Sequence, residues 1–320
     1  MTEKKLKISV CIVSYNHGRY IDDCLASVIA QHVDAELEVL VGDDCSSDNT
    51  RNIIASYAAR YPELIFPVFH EKNIGGSQNY RSLIERAQGD YIAHLDGDDY
   101  WLPGKLSAQI LFIIAHPKCV AVYCNAIVIN DTGQLRARFN RHIPDEIDLN
   151  FLIKGGNFLN ASSLMYRSEC KNLLLSLKGE TLDYLSHVQF AGQGRLGYVN
   201  RDLVVYRIHS ATSVTRTMPE LLMTKYWDAI VRGRELGADD NALRQCISGY
   251  FRSLLRTAII RRRPRAAFLQ YKKIAAECPL ASKPLLLRSL MTLPFYLWRD
   301  LMRGLARRIF KGGVEILYDR

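Results

Sequence analysis

The chain of 320 residues has no apolar run long enough to cross a bilayer. Ile8 to Val13 is too short for the core of a signal peptide, and Ser289 to Trp298 is about half of what a membrane span needs. A cytoplasmic protein is therefore expected. Eight cysteines form no CxxC pair and keep no regular spacing, which argues against a disulfide framework or a zinc site and leaves buried free thiols. No GxGxxG follows the first apolar run, so the fingerprint of a nicotinamide-dependent dehydrogenase is missing. Acids are scarce in the last quarter: Arg244 to Arg320 carries 17 Lys and Arg against 4 acids, in a chain whose formal charge is +9. The excess positive charge belongs to that tail. It suits an anionic membrane surface or simple solubility; nucleic acid is not expected, because no recognition motif accompanies it.

What is present is alternation. Lys7 to Val13 is a β-branched run ending at Ser14-Tyr15-Asn16-His17-Gly18, after which Tyr20, Cys24, Leu25 and Val28 recur at helical spacing. Glu38 to Val41 ends at Gly42-Asp43-Asp44, ahead of a helix carrying Ile53, Ile54 and Tyr57. Leu64 to His70 leads to Asn73-Ile74-Gly75-Gly76 and a helix through Leu83, Ile84 and Ala87. Tyr91 to Leu95 then runs into Asp96-Gly97-Asp98-Asp99. Strands separated by helices predict an α/β fold, a Rossmann-like, mostly parallel sheet with helices on both faces. Ligands bind such sheets at the carboxyl ends of the strands, where all four polar segments fall.

Three carboxylates in four residues repel and raise one another's pKa unless a cation neutralises them. The acidic cluster therefore predicts a divalent metal held by oxygen, Mg2+ or Mn2+. Further on, Lys105 to Ile114 reads as a helix, Val120 to Ile129 as a strand, Phe139 to Asn150 as a loop, and Gly155 to Arg167 as a Gly- and Asn-rich turn entering a strand. From Pro219 the pattern is helical: Leu221 to Leu236, Asn241 to Arg261, Arg265 to Cys278 and Pro284 to Phe310. The last of these interleaves Leu, Phe, Tyr and Trp with Arg288, Arg299, Arg303, Arg307 and Arg308. Such a helix either lies on an anionic membrane or packs on the catalytic domain with arginine stems over apolar surface.

The blocks SYNHGRYIDDCLASVIAQ, VLVGDDCSSDNT and NIGGSQNYRSLIERAQGDYIAHLDGDDYWLPGKLSAQ, in this order, resemble the family 2 glycosyltransferases, inverting enzymes of the GT-A fold. The likeness runs over residues 7–110 and returns near 180–213. It implies a GT-A catalytic domain over residues 1–216 and a basic helical region over 217–320. It also implies a nucleotide-sugar donor, and a glycan or lipid-linked acceptor. By the same resemblance Ser14, Tyr15 and Asn16 lie against the nucleoside, although Tyr15 could as well only pack. Asp44 is the acid that meets base or ribose, and Asn73 and Gly75 approach the donor. Asp96 faces the ribose, Asp98 ligates the metal, and Asp99 acts through water or orients its neighbour. In the closing Tyr206-Arg207-Ile208-His209, Arg207 meets the diphosphate and His209 the metal. The family's Ala-Arg-Asn is replaced by Asn79, Tyr80 and Arg81, which leaves Arg81 without an assigned phosphate role. The family's base opens a helix about a dozen residues before a strand like Gly194-Arg195-Leu196-Gly197-Tyr198, which points to Asp183, with Leu182 in place of the usual first acid and Glu180 as the alternative.

The expected activity is metal-dependent, inverting transfer of a sugar to a growing glycan, in bacterial surface polysaccharide synthesis at the inner face of the cell membrane. A nucleotidyltransferase would carry a Gly- and Arg-rich loop after its first strand, which Ser14-Tyr15-Asn16 is not. A non-catalytic scaffold that binds nucleotide sugars is the other reading.

Overall fold

In a computed structural model the chain is described over residues 5–208, 219–260, 262, 264–309 and 315–318. Its first half alternates as the apolar pattern requires: β1 (Lys7–Ser14), α1 (Ile21–Ile29), β2 (Glu36–Asp43), α2 (Thr50–Arg60), β3 (Ile65–Phe69), α3 (Gly76–Arg86) and β4 (Tyr91–Asp96). These strands are parallel in the order β3-β2-β1-β4. Both faces are covered. On β1, Ile8, Val10 and Ile12 enter a layer with Ile21, Cys24, Leu25 and Val28 of α1, while Cys11 enters the opposite layer with Leu83 and Ile84 of α3. Successive side chains of a strand point to opposite faces, which is why a continuous apolar run fits here.

The chain continues with β5 (Tyr100–Trp101), α4 (Lys105–Ala115), β6 (Cys119–Asn130), β7 (Leu135–Asn140), β8 (Glu146–Ile147), α5 (Leu149–Gly155), β9 (Met165–Arg167), α6 (Lys171–Leu175), α7 (Asp183–Gln193) and β10 (Arg195–Ile208). β9 lies antiparallel between β4 and β6, and β10 runs parallel to β6. The expected loop at 139–150 is instead the end of β7, then β8 and the start of α5. β7 alternates as a strand should: Ala137 and Phe139 are buried, while Arg138 reaches both oxygens of Asp202 at 2.7 and 2.9 Å. α5 starts where Asp148 Oδ1 accepts the Phe151 N–H at 2.8 Å, an N-cap. The eight cysteines form no disulfide, and seven are buried.

The helical region follows as α8 (Pro219–Glu235), α9 (Asp240–Ile260), α10 (Pro264–Glu277) and α11 (Lys283–Ile309), with a final β11 (Glu315–Tyr318). Gly237, at φ +90°, ends the α8 turn in a backbone region open to glycine, and the Ala238 N–H reaches back to the Gly233 carbonyl at 3.0 Å. α8 and α9 share one buried cluster with α5 and α7: Trp227, Ile230, Leu243 and Phe251 pack with Leu152, Tyr184 and Val188. β11, which the sequence reading did not anticipate, joins β7 in parallel at the sheet edge, with Tyr318 against Phe139 at 4.9 Å between ring centroids.

Candidate active site

The carboxyl ends of β1, β2 and β4 lie side by side, because Ser14 pairs with Asp43 and Val13 with Asp96 in the parallel ladder. Ser14 is buried at the end of β1. Tyr15 next to it is exposed, and Asn16 takes φ +55°, a region asparagine tolerates. Asn16 ties this turn to the one after β2: its N–H donates to Ser46 Oγ at 2.9 Å, and its Oδ1 accepts the Ser47 N–H at 2.9 Å. Asp44 is buried and holds the next loop in place. Its Oδ1 accepts the Ile74 N–H at 2.7 Å, its Oδ2 the Gly75 N–H at 2.9 Å, and its carbonyl takes Asn73 Nδ2 at 3.3 Å. Gly75 sits at φ +87°, and a side chain there would collide with Glu180.

The acidic turn is built against β1. The Gly97 N–H donates to the Val13 carbonyl at 2.8 Å, and a Cβ on Gly97 would lie 2.9 Å from His17 Nδ1 and 3.0 Å from Ser14 Oγ. That close approach is the reason for glycine between Asp96 and Asp98. The three acids then differ. Asp96 is half-buried, with His94 Nε2 3.2 Å from its Oδ1. Burial opposes its charge, but His94, His17 and Ser162 together hold its carboxyl below the usual range. Asp98 is half-buried as well. Asp99 is buried, and its carboxyl is pushed well above the usual range, first by burial and then by Asp98 and Asp96. It accepts Ser162 Oγ–H at 2.6 Å and the Arg207 N–H at 2.8 Å.

Two residues that the sequence reading did not single out organise this turn. His94 lies two residues before Asp96 on the same strand, hence on the same face, and touches Tyr80 edge-on at 4.4 Å. Ser162, fully buried, accepts the Asp96 N–H at 3.2 Å and donates to Asp99, and its carbonyl takes Trp101 Nε1 at 2.8 Å. Ser162→Ala leaves the buried Asp99 carboxyl and the Asp96 N–H without that partner. Denaturant unfolding is expected to show a loss of about 1–3 kcal/mol.

Asp183 opens α7 and is exposed at the helix start. Desolvation by the protein around it, and then the charge of Asp96, push its carboxyl up to about 6, with His94 opposing. Asp183 and Asp96 therefore feel each other's charge. The segment leading to α7 is fastened to α3. Ser77 Oγ donates to Glu180 Oε2 at 3.0 Å and accepts the Thr181 N–H at 3.0 Å, and Arg81 Nη2 donates to the Gly179 carbonyl at 3.0 Å. Glu180 thus sits at the start of α3, and Arg81 on a loop carbonyl. Arg207 lies between the rings of Tyr20 and Tyr100, 4.9 and 5.1 Å from their centroids, and its guanidinium pairs with Asp23. His209 lies outside the described residues.

Among the described residues no three His, Cys, Asp or Glu side chains gather as a ready metal cage. The donor set nonetheless fits a hard divalent cation. Such ions commonly take one or two carboxylates and complete their shell with phosphate oxygens and water, and the mutual repulsion of Asp96, Asp98 and Asp99 is what a cation would relieve. Buried polar atoms without a partner also gather here, namely Ser14 Oγ, His17 Nδ1, Asp43 Oδ1, His94 Nδ1 and Arg207 Nε.

A parallel sheet in this order, with an acidic turn closing its fourth strand and an antiparallel strand beyond it, is the architecture of the GT-A fold. Residues 9–173 match the family described as Glycosyl transferase family 2, and the chain belongs to that family. An uncharacterized protein of Mycobacterium tuberculosis is 30% identical over 245 residues, 76% of this chain and 69% of that one. The putative teichuronic acid biosynthesis glycosyltransferase TuaG of Bacillus subtilis is 40% identical over 154 residues, 48% of this chain and 60% of TuaG. Among solved structures, S. aureus TarS 1-349 in complex with UDP-GlcNAc superimposes with a TM-score of 0.59 at 21% identity, over 77% of this chain and 73% of that one. The mannosyltransferase PcManGT from Pyrobaculum calidifontis, in complex with GDP-Man and Mn2+, does so with 0.51 at 15% identity, over 91% and 88%. At these identities the superpositions speak for the fold.

Proposed function

We propose that this chain transfers one sugar from a nucleotide-diphosphate donor to a hydroxyl of a growing glycan or lipid-linked glycan, with inversion, in the synthesis of a bacterial surface polysaccharide. What supports the reading is Asp183 at the start of α7, a carboxyl pushed up to about 6, first by desolvation and then by the charge of Asp96 at the end of β4. The names of TuaG and of the putative glycosyltransferase EpsE, both from Bacillus subtilis, support glycan assembly as the setting.

In the proposed step the acceptor oxygen attacks the anomeric carbon and its proton passes to Asp183. The bond from that carbon to the diphosphate oxygen breaks, and the nucleoside diphosphate leaves with the electron pair. One displacement inverts the anomeric centre. Tyr15 and Asn16 form the wall for the nucleoside, and the loop at Asn73 and Gly75, held by Asp44, lies beside the donor. Asp98 would hold Mg2+ or Mn2+, which when bound neutralises charge on the departing diphosphate, with Asp96 toward the ribose. Ser162 and His94 keep Asp96 and Asp99 in place, so the floor is formed before the donor arrives.

The test is a panel of nucleotide sugars, scored first by thermal stabilisation with manganese and then by nucleoside diphosphate release on glycan acceptors. One donor that both stabilises and turns over is the expected result. Binding of a donor with no turnover on any acceptor would instead favour a scaffold.

A further inference from the structure

α11 is apolar on two sides. On its inner side Ser289 and Leu293 are buried, Ser289 Oγ meets Ser248 Oγ of α9 at 2.9 Å, and the guanidinium of Arg252 lies 4.2 Å from the centre of the Tyr296 ring. On the outer side Leu287, Met291, Phe295, Trp298 and Met302 follow one another at helical spacing, and all five are exposed, Met291 by 82% and Trp298 by 58%. A helix resting on a protein core needs one apolar stripe and ordinarily turns polar residues outward. A second, continuous and uncovered stripe is the mark of contact with something apolar.

Charge selects what that is. Lys283 and Arg288 are exposed on α11, and Arg262, Arg265, Lys272 and Lys273 are exposed on α10 and the turn before it. From Arg244 onward there are only four acids. One of them, Glu277, is engaged by Trp227 Nε1 at 2.7 Å. A second copy of this chain would bring the same positive charge to the contact and be repelled. An apolar phase with a negative surface is the complement, which is an anionic lipid bilayer. No helix among the described residues is long and apolar enough to cross a membrane, so the contact is interfacial.

We propose that α11 docks the protein in the plane of an anionic phospholipid surface, with Met291, Phe295 and Trp298 at the boundary of headgroups and acyl chains and Lys283 and Arg288 at the level of the phosphates. On α10, Phe268 and Leu269 are also exposed, with Lys272 Nζ 4.9 Å from the Phe268 ring centre, an arrangement of the same chemistry. The inference does not depend on the transfer reaction and is tested by binding alone.

The full chain is mixed with vesicles of phosphatidylcholine alone, or of phosphatidylcholine with phosphatidylglycerol, and sedimented. Binding to the anionic vesicles only, weakening several-fold from low to moderate salt, is the expected result. Its fluorescence gives a second readout. Of the three tryptophans, Trp101 and Trp227 are 2% and 1% exposed, so a blue shift on vesicle addition reports Trp298. The double variant F295S/W298S, altered only at exposed positions, should keep the native melting temperature and lose about tenfold or more in vesicle affinity. Failure of the native chain to sediment would overturn the proposal. So would equal binding by the variant, or a native dimer that the variant splits, since the stripe would then be covered by a second copy.

Discussion

Replacing Asp183 with asparagine is expected to lower the rate of transfer about a thousandfold, within the range for loss of a general base. The neutral amide keeps the size and polarity of the helix start but cannot take the proton from the acceptor. Donor binding stays within about threefold, because the nucleotide is held by other elements of the cleft. The pH profile of the native enzyme carries the same signature. The base works only when ionised, and its carboxyl is pushed up to about 6. Activity is therefore low at pH 5, rises through about pH 6 and levels off above pH 7, while in the variant this rise is absent. Stability moves the other way. A carboxyl whose folded pKa is raised costs the folded state most once it is ionised, above about pH 6, and nothing when protonated in both states at low pH. The asparagine variant thus melts no lower than the native protein at pH 7. Because Asp183 is exposed, solvent screens it and the difference is small. A loss of activity accompanied by a lower melting temperature would mean damaged structure, not a missing base.

Replacing Asp98 with alanine is expected to reduce transfer by about a hundredfold or more, through loss of the proposed metal. The diagnostic is binding without turnover. In manganese, calorimetry should show the native protein holding its nucleoside diphosphate about tenfold tighter than the variant, and with the metal chelated the two should bind alike. The fold is expected to tolerate the change, since Asp98 is one of the charges that, after burial, raise the pKa of Asp99. A variant that binds nucleotide equally well with and without manganese, yet still transfers sugar at the native rate, would remove Asp98 from the site.

Much of this arrangement was legible in the chain. Ile8, Val10 and Ile12, or Tyr91 to Leu95, are short apolar runs bounded by polar turns, and such runs make buried parallel strands wherever helices separate them. The acids after β4 and the asparagines and glycines after β1 and β3 then had to fall at one edge. His94 was hidden by its position inside an apolar strand, where only its two-residue spacing from Asp96 signals a shared face. Ser162 was one of several small polar residues in a Gly- and Asn-rich turn and did not stand out, because its partners Asp96 and Asp99 lie more than sixty residues away and the contact exists only once β9 lies beside β4. β7 was missed although Ala137 and Phe139 alternate with Arg136 and Arg138, since two arginines in six residues give no apolar run and Asp202 opposite Arg138 is visible only in the fold. β11 is set by the edge it joins, a property of β7 and not of residues 315–318. The two-sided character of α11 also needed the structure: its composition suits either a packed helix or a membrane helix, and only the structure shows one apolar face buried against α9 and a second one exposed.

The central claim is a single displacement with Asp183 as base, and the anomeric configuration of the product tests it most directly. With the donor found in the panel, proton NMR of the glycan during the first turnovers should show a linkage inverted relative to the sugar in the nucleotide donor. A product that retains the donor's configuration would contradict the account, because a single displacement with one base inverts the anomeric carbon.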